Sequence, residues 1–257
     1  MGEAKAKLEG KLEAKLDPEL GAGLGAELVP ELGAELPVEA IAKSLALPLK
    51  PAAVTLVGKY VKLRPIDLQR DNEALFAVSN GSPCELGARE IDSYDADALI
   101  WRYMSAGPFP TSCKLAAFLF AQEKAENGLC FCVFDLATDR QIGVVNYLNN
   151  FPAHLKIELG NIWFSPLVQR TKTNLEATYL LLQHAFSLGY RRVEWKCDAL
   201  NLRSRKAALR MGFKFEGIQE NHFIIKGRNR DTAWFRILDS EWPDVQKLLQ
   251  LLLEKEQ

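Results

Sequence analysis

The sequence predicts an α/β protein, helices layered on a mixed sheet, behind a low-complexity disordered tail. Three observations predict it. Apolar runs alternate in steps of two over residues 130–164, a strand, helix, strand, helix, strand succession follows them, and no aromatic residue precedes Tyr60.

The tail is assigned to residues 1–52. From Leu8 to Leu36 a leucine recurs at every fourth residue, and a period of four drifts about 40° per repeat around a helix, so the leucines form no single buried stripe. Pro18, Pro30 and Pro37 interrupt the run, as do Gly21, Gly23, Gly25 and Gly33. Only residues 3–16, rich in Lys and Glu, suit a short helix. Gly21-Ala22-Gly23-Leu24-Gly25 is a decoy for a dinucleotide loop, because no strand precedes it and the third glycine is missing.

The domain is expected over residues 53–257. A strand at Tyr60 to Arg64 opens it, and two or three helices are expected up to Glu126. Strands follow at Cys130 to Leu136, Ile142 to Leu148 and Leu155 to Phe164, joined by turns as an antiparallel meander. Leu175 to Leu188 is the most helical segment, stopped by Gly189. Val193, Trp195 and Cys197 alternate with polar residues as a strand, and a helix from Leu202 to Met211 ends at Gly212. Phe213 to Ile225 and Asp231 to Leu238 read as strands around Lys226 to Asn229, and Arg228 to Asp231 as a charged turn, expected to be a salt-bridged hairpin tip or else a border of the acceptor channel. An amphipathic helix from Pro243 to Glu256 closes the chain.

Composition excludes several function classes. The 257 residues are 48% hydrophobic and carry Lys+Arg 32 against Asp+Glu 33, a balance without the basic field of a nucleic-acid binder. No apolar run approaches the roughly 18 residues of a membrane span, so no membrane partner is expected. The N-terminus lacks an apolar signal core, and Ala6 stands where a myristoylation signal has Ser or Thr. The expected compartment is the cytoplasm. Cys84, Cys113, Cys130, Cys132 and Cys197 show no C-x-x-C spacing, and with only His154, His184 and His222 beside them no metal site is expected. Trp163, Trp195, Trp234 and Trp242 read as packing residues, and His184 as a partly buried structural histidine.

The chemistry concentrates where a strand runs through a polar turn, residues 168–174, into a long helix. Backbone N–H groups at such a helix start hold anions, and Arg170 and Lys172 add charge; an ordinary solvated loop has the same spacing. Asn201 and Ser204 open the next helix, where Asn is a good cap and Ser bonds backbone amides. Glu158 lies on the strand entering the loop, as a candidate base or as half of a cross-strand ion pair.

From Tyr60 to Trp242 the chain resembles the GNAT-superfamily N-acetyltransferases, in particular the RimJ/RimL-like branch. The resemblance rests on IELGNIWFSPLVQRTKTNLEA, GYRRVEWKCDALNLRSRKAALRMGF and GRNRDTAWFRILDSEWP. It implies a mostly antiparallel central sheet flanked by helices, and transfer of an acetyl group from acetyl-CoA, without a metal, to a protein N-terminus or small amine. It implies a cofactor site made of Trp163, Phe164, Gln169, Arg170, Thr171, Lys172, Thr173, Asn174, Asn201, Ser204 and Arg205. The family loop Q-x-x-G-x-G/A wraps the diphosphate of coenzyme A, and here Lys172 and Asn174 replace its glycines. The resemblance places a strand bulge over Asn161 to Phe164, whose N–H groups polarise the thioester carbonyl, and Glu158 as the base. Where many members carry a Tyr as general acid this chain has Ala208, which leaves Ser204, with Tyr190 and His222 behind it. The missing glycines and Tyr support one alternative, a catalytically weak module that binds coenzyme A or a partner protein.

Overall fold

The computed structural model describes Gly33 and residues 35–255. The tetrad leucines before Leu36, the expected helix at 3–16 and the Gly21 to Gly25 run lie outside the described residues. One compact unit spans Val38–Gln257. It starts earlier than expected from composition, because residues 38–52 are packed onto it. Helix α1 (Val38–Ala46) buries none of its own residues, but the stretch after it is tied down. Asn150 Nδ2 donates to the carbonyls of Pro48 (3.0 Å) and Leu49 (2.8 Å), and Lys50 Nζ donates to those of Glu123 and Ala125.

The remaining elements follow in order: β1 (Leu56–Val57), β2 (Val61–Pro65), α2 (Leu68–Ala77), β3 (Cys84–Leu86), β4 (Arg89–Ile91), a π-helical turn (Asp97–Trp101), α3 (Ser112–Glu123), β5 (Leu129–Asp135), β6 (Arg140–Phe151), β7 (Lys156–Phe164), α4 (Lys172–Ser187), β8 (Arg192–Asp198), α5 (Leu202–Arg210), β9 (Lys214–Ile225), β10 (Arg228–Leu238) and α6 (Trp242–Glu254). Eight strands form one sheet in the order β1-β2-β5-β6-β7-β8-β10-β9. Neighbours are antiparallel except β7 and β8, the junction that makes the sheet mixed. The short β3–β4 hairpin stands apart.

Both faces of the sheet are covered, which explains why β5, LCFCVFD, is buried at every position. Leu129, Phe131 and Val133 point into a core shared with Leu181 of α4, Ala208 of α5 and Leu249 of α6. Cys130, Cys132 and Phe134 point the other way, against Leu75 of α2, Leu115 and Leu119 of α3, and Trp101. The five cysteines are free. Among the described residues no helix is long and apolar enough to cross a membrane, and no group of three His, Cys, Asp or Glu side chains could hold a metal ion.

Among the described residues, the charged tip of the β9–β10 hairpin, Arg228 to Asp231, is not salt-bridged as expected. Asp231 instead accepts hydrogen bonds from the Asn221 N–H (2.8 Å) and Asn229 Nδ2 (2.9 Å), fastening a bulge at Asn221, whose φ is 49°.

Candidate active site

Strands β7 and β8 part at one end. Their parallel pairing runs from Lys156 opposite Arg192 to Leu159 opposite Trp195 and stops there, although β7 continues to Phe164 and β8 to Asp198. Each strand leads through a short turn into a helix, so the N-termini of α4 and α5 both stand at that opening. Just past the last paired residues, β7 carries a bulge. Val144 opposes Trp163 and Asn146 opposes Gly160, which leaves Asn161 and Ile162 against Val145 alone. Asn161 takes a left-handed conformation, φ 46°, and Asn146 Nδ2 holds its carbonyl at 3.3 Å. The extra residue re-aims the strand, so that Trp163 joins the core under α2 and α3 while Phe164 joins the core under α4.

The loop into α4 is braced from inside. Gln169 Nε2 donates to the carbonyls of Phe164 (3.1 Å) and Leu99 (3.0 Å), so this side chain shapes the loop. Arg170 is left-handed at φ 65°. Thr171 caps the helix by accepting the Thr173 N–H at 3.3 Å, and therefore α4 begins three residues before the apolar periodicity that announces it. Lys172 Nζ lies 3.3 Å from the Tyr60 hydroxyl. Thr173 is buried, and the buried Asn174 Oδ1 has no hydrogen-bond partner among the described residues. Glu176, one turn on, is a buried clamp: Oε1 accepts the Lys59 N–H (2.8 Å), and Oε2 accepts those of Tyr60 (2.7 Å) and Val61 (2.8 Å). It fixes the first turn of α4 to the start of β2.

At α5, Asn201 Oδ1 accepts the Ser204 N–H at 3.1 Å, the cap its sequence position suggests. Ser204 Oγ accepts from Trp195 Nε1 at 3.0 Å and hydrogen-bonds the Cys197 thiol, whose pKa burial pushes up while that bond opposes the rise. Arg205 donates to the Ala199 carbonyl at 3.1 Å and braces the turn before the helix. The two substitute acids stand differently. Tyr190 precedes β8 at the end away from the opening, donates to Asn150 Oδ1 at 2.7 Å, and is pushed up to about 12 by burial. His222 lies 5.9 Å, ring to ring, from Trp234, with its pKa held down by burial and by the charges of Lys196 and Arg230.

Glu158 is 7% exposed in its side chain and shares a sheet face with Lys196. Lys196 Nζ is 2.6 Å from Oε2, and Asn149 Nδ2 donates to the same oxygen at 2.7 Å. The other oxygen, Oε1, faces Gly160, where a Cβ would stand 3.2 Å from it. The ion pair expected as one of two readings is present, and it leaves one carboxylate oxygen turned toward the bulge.

Sequence reasoning missed the segment that covers this end. Carbonyls of the turn Asp97–Trp101 receive Gln169 from the loop, Arg203 of α5 (to Ala98, 2.7 Å) and Lys226 of the β9–β10 tip (to Trp101, 2.7 Å). A cavity of about 250 Å³ lies between this segment and the start of α5, with Ala98, Arg102, Asn201 and Arg203 in its lining. Lys196, Asn149 and Glu176 were also missed; strand alternation signals the first, and nothing local signals the others.

Comparison with known proteins adds to this geometry. Residues 62–214 match the family model described as an acetyltransferase (GNAT) domain. A GCN5-related N-acetyltransferase structure from Brucella melitensis is 38% identical over 79% of this chain and 87% of that one, with a TM-score of 0.71. A GNAT-family structure from Chromobacterium violaceum is 33% identical over 83% and 99%, with a TM-score of 0.69. An acetyltransferase from Salmonella typhimurium that modifies the N-terminal serine of a ribosomal protein is 16% identical, over 72% and 99% with a TM-score of 0.56, and shares the fold alone. None of the curated proteins matches.

Proposed function

The chain belongs to the GNAT acetyltransferase family, whose members draw the acetyl group from acetyl-CoA, and from that premise we propose that it acetylates a primary amine, a peptide N-terminus or a small amine, by direct attack in a ternary complex. The parting of β7 and β8 at Leu159 and Trp195, with a bulge and two helix N-termini at the opening, carries this reading. The residues present fit the cosubstrate: the α4 start offers amide donors with Lys172 and Arg170 for a diphosphate, and Asn201 and Arg205 flank the opening for the pantetheine arm. The lost glycines are compensated in this reading by charge, since Lys172 supplies a cation where the family has bare backbone.

Acetyl-CoA supplies a thioester carbonyl and a sulfur leaving group. The N–H groups of the Asn161 to Phe164 stretch stabilise the negative charge that grows on the carbonyl oxygen. Amines are mostly protonated at neutral pH, with pKa values near 10.4 for Lys and about 8 for an α-amino group, so a base is needed. Glu158 takes that proton on Oε1. Ser204 turns its single O–H from the Cys197 sulfur toward the departing sulfur; the bond it accepts from Trp195 polarises its hydroxyl and makes it a better donor.

Thiol release from acetyl-CoA against pooled amines, polyamines and N-terminal peptides tests the activity, with cofactor binding followed by calorimetry. Glu158→Gln should leave coenzyme A affinity nearly unchanged and lower kcat/KM by about 10² to 10⁴. No binding of millimolar acetyl-CoA to the wild-type protein would remove the reading.

A further inference from the structure

Lys196 is the first residue of β8 beyond the last pair with β7, so its side chain stands at the base of the opening. It alternates with Trp195 and Cys197, which face the α4 side, and therefore lies on the same face as Glu158. Its ammonium is held between two groups, Glu158 Oε2 at 2.6 Å and the Trp234 ring at 4.1 Å, and the side chain is 15% exposed. With Asn149 on the same oxygen, Oε2 is fully engaged, and Oε1 remains on the side of Gly160 and the bulge.

We propose that Lys196 is the positioning residue of the reaction, holding Glu158 by Oε2 so that Oε1 receives the proton of the acceptor amine beside the Asn161 bulge. The proposal rests on the reading of Glu158 as the base. The substrate ammonium gives one proton to Oε1 and the freed lone pair attacks the thioester carbonyl carbon to form the C–N bond; as the tetrahedral species collapses, the C–S bond breaks with its electrons going to sulfur, the second proton of the nitrogen passes to that thiolate through solvent, and the carboxyl proton returns to solvent. While Glu158 is protonated the Lys196 charge loses its partner, and the face of Trp234 then carries it.

The charged groups around this pair are committed elsewhere. Glu194 on β8 is taken by Arg192 (2.8 Å) and Lys156 (3.5 Å). On β10, Arg236 is paired with Glu216 and Glu241, and Arg230 lies over the Phe223 ring. From the covering turn, Asp97 meets Lys226 and Arg102. His222 on β9 has its charged form disfavoured by burial and by Lys196 and Arg230. Lys196 is therefore the one cation on Glu158 among the described residues.

The test is a set of pH-rate profiles of kcat/KM on one acceptor for the wild type, Lys196→Met, Lys196→Arg and Glu158→Gln, with coenzyme A affinity and melting temperature measured on each. Without the ammonium a buried carboxylate has only Asn149 to support its charge, so the ionised base is reached at higher pH. In Lys196→Met kcat/KM should fall about 10- to 100-fold on the acid side of the wild-type limb, recover as pH rises, and show its acid limb about one to two pH units higher. Lys196→Arg should restore the limb, and coenzyme A affinity should stay within about twofold throughout. Should Lys196→Met fold poorly, Lys196→Gln keeps a polar tip without the charge and should show the same displaced limb. A wild-type profile in Lys196→Met beside a crippled Glu158→Gln would overturn the proposal alone, as would a pH-independent loss that Arg does not rescue. A wild-type rate in Glu158→Gln would overturn the assignment of the base, and the proposal with it.

Discussion

Replacing Glu176 with Gln tests whether one buried carboxylate anchors α4 to the sheet. The carboxylate accepts three backbone N–H groups, from Lys59 at 2.8 Å, Tyr60 at 2.7 Å and Val61 at 2.8 Å. Glutamine keeps one acceptor oxygen. Set in the Oε2 position, it retains Tyr60 and Val61 but turns its amide N–H groups toward the Lys59 N–H, donor against donor. One charge-assisted bond is lost and two become neutral bonds of roughly half the strength, for a total of about 3 kcal/mol. A domain of this size moves about 2 to 4 °C per kcal/mol, so thermal unfolding followed by circular dichroism should show a drop of roughly 6 to 12 °C. Gly58→Ala offers an independent approach to the same contact, since its Cβ would stand 2.4 Å from the Glu176 carboxyl carbon. The two substitutions should be less than additive, because each disturbs the same three bonds. A melting temperature within about 1 °C of wild type in Glu176→Gln would refute the reasoning and show that the clamp is dispensable.

Ser204→Ala removes the acceptor of Trp195 Nε1 and should cost about 1 to 3 kcal/mol in urea unfolding; its effect on kcat/KM should be small and flat with pH, because a thiol of pKa near 8.5 leaves tolerably as thiolate. A chain beginning at Val38 should melt well above one beginning at Ala52, which lacks the Pro48, Leu49 and Lys50 contacts; equal melting temperatures would show that those contacts do not stabilise the domain. Glu241, although burial opposes its charge, is held down to about 2 by Lys214, the Leu238 N–H and Arg236. A depressed carboxylate stabilises the fold above its unfolded pKa of about 4.3, and that contribution is lost as pH falls through the folded value. Glu241→Gln should therefore melt below wild type at pH 7, with the difference closing between about pH 4.3 and pH 2.

The periodic elements were legible because their burial is periodic. In β5 the alternation of Phe131 and Val133 with Cys130 and Cys132 shows both faces covered, and Gly189 and Gly212 mark where α4 and α5 stop. Helix α1 was hidden because its residues continue the composition of the leucine repeat and none of them is buried, so no stripe announces it. The β3–β4 hairpin has three-residue strands, too short for a period to show. At the site, Glu158 was legible as a carboxylate but its partner was not. Lys196 reaches it only because β8 lies beside β7 in a parallel register, a property of topology that no local window contains. The bulge had a local signal, Gly160-Asn161 inside an apolar strand, although the family resemblance was what located it. Glu176 carries no local signal, because its role depends on the start of β2, 115 residues away.

The turn at Asp97–Trp101 also bears on how the chain comes to be folded. Its three tethers reach across 70, 105 and 125 residues, to Gln169, Arg203 and Lys226. Chain entropy separates the shortest from the longest closure by only about 0.5 kcal/mol, so the order in which they form is set by synthesis and by the strands that carry them. Until residue 226 has left the ribosome, the Trp101 carbonyl lacks its Lys226 partner, although the Trp101 ring can already pack on Phe109 at 5.0 Å, Phe118 at 6.4 Å and, later, Trp163 at 5.1 Å. A nascent chain that ends before the β9–β10 turn therefore holds one wall of the cleft without the strut that closes it, and the site is among the last parts of the domain to exist.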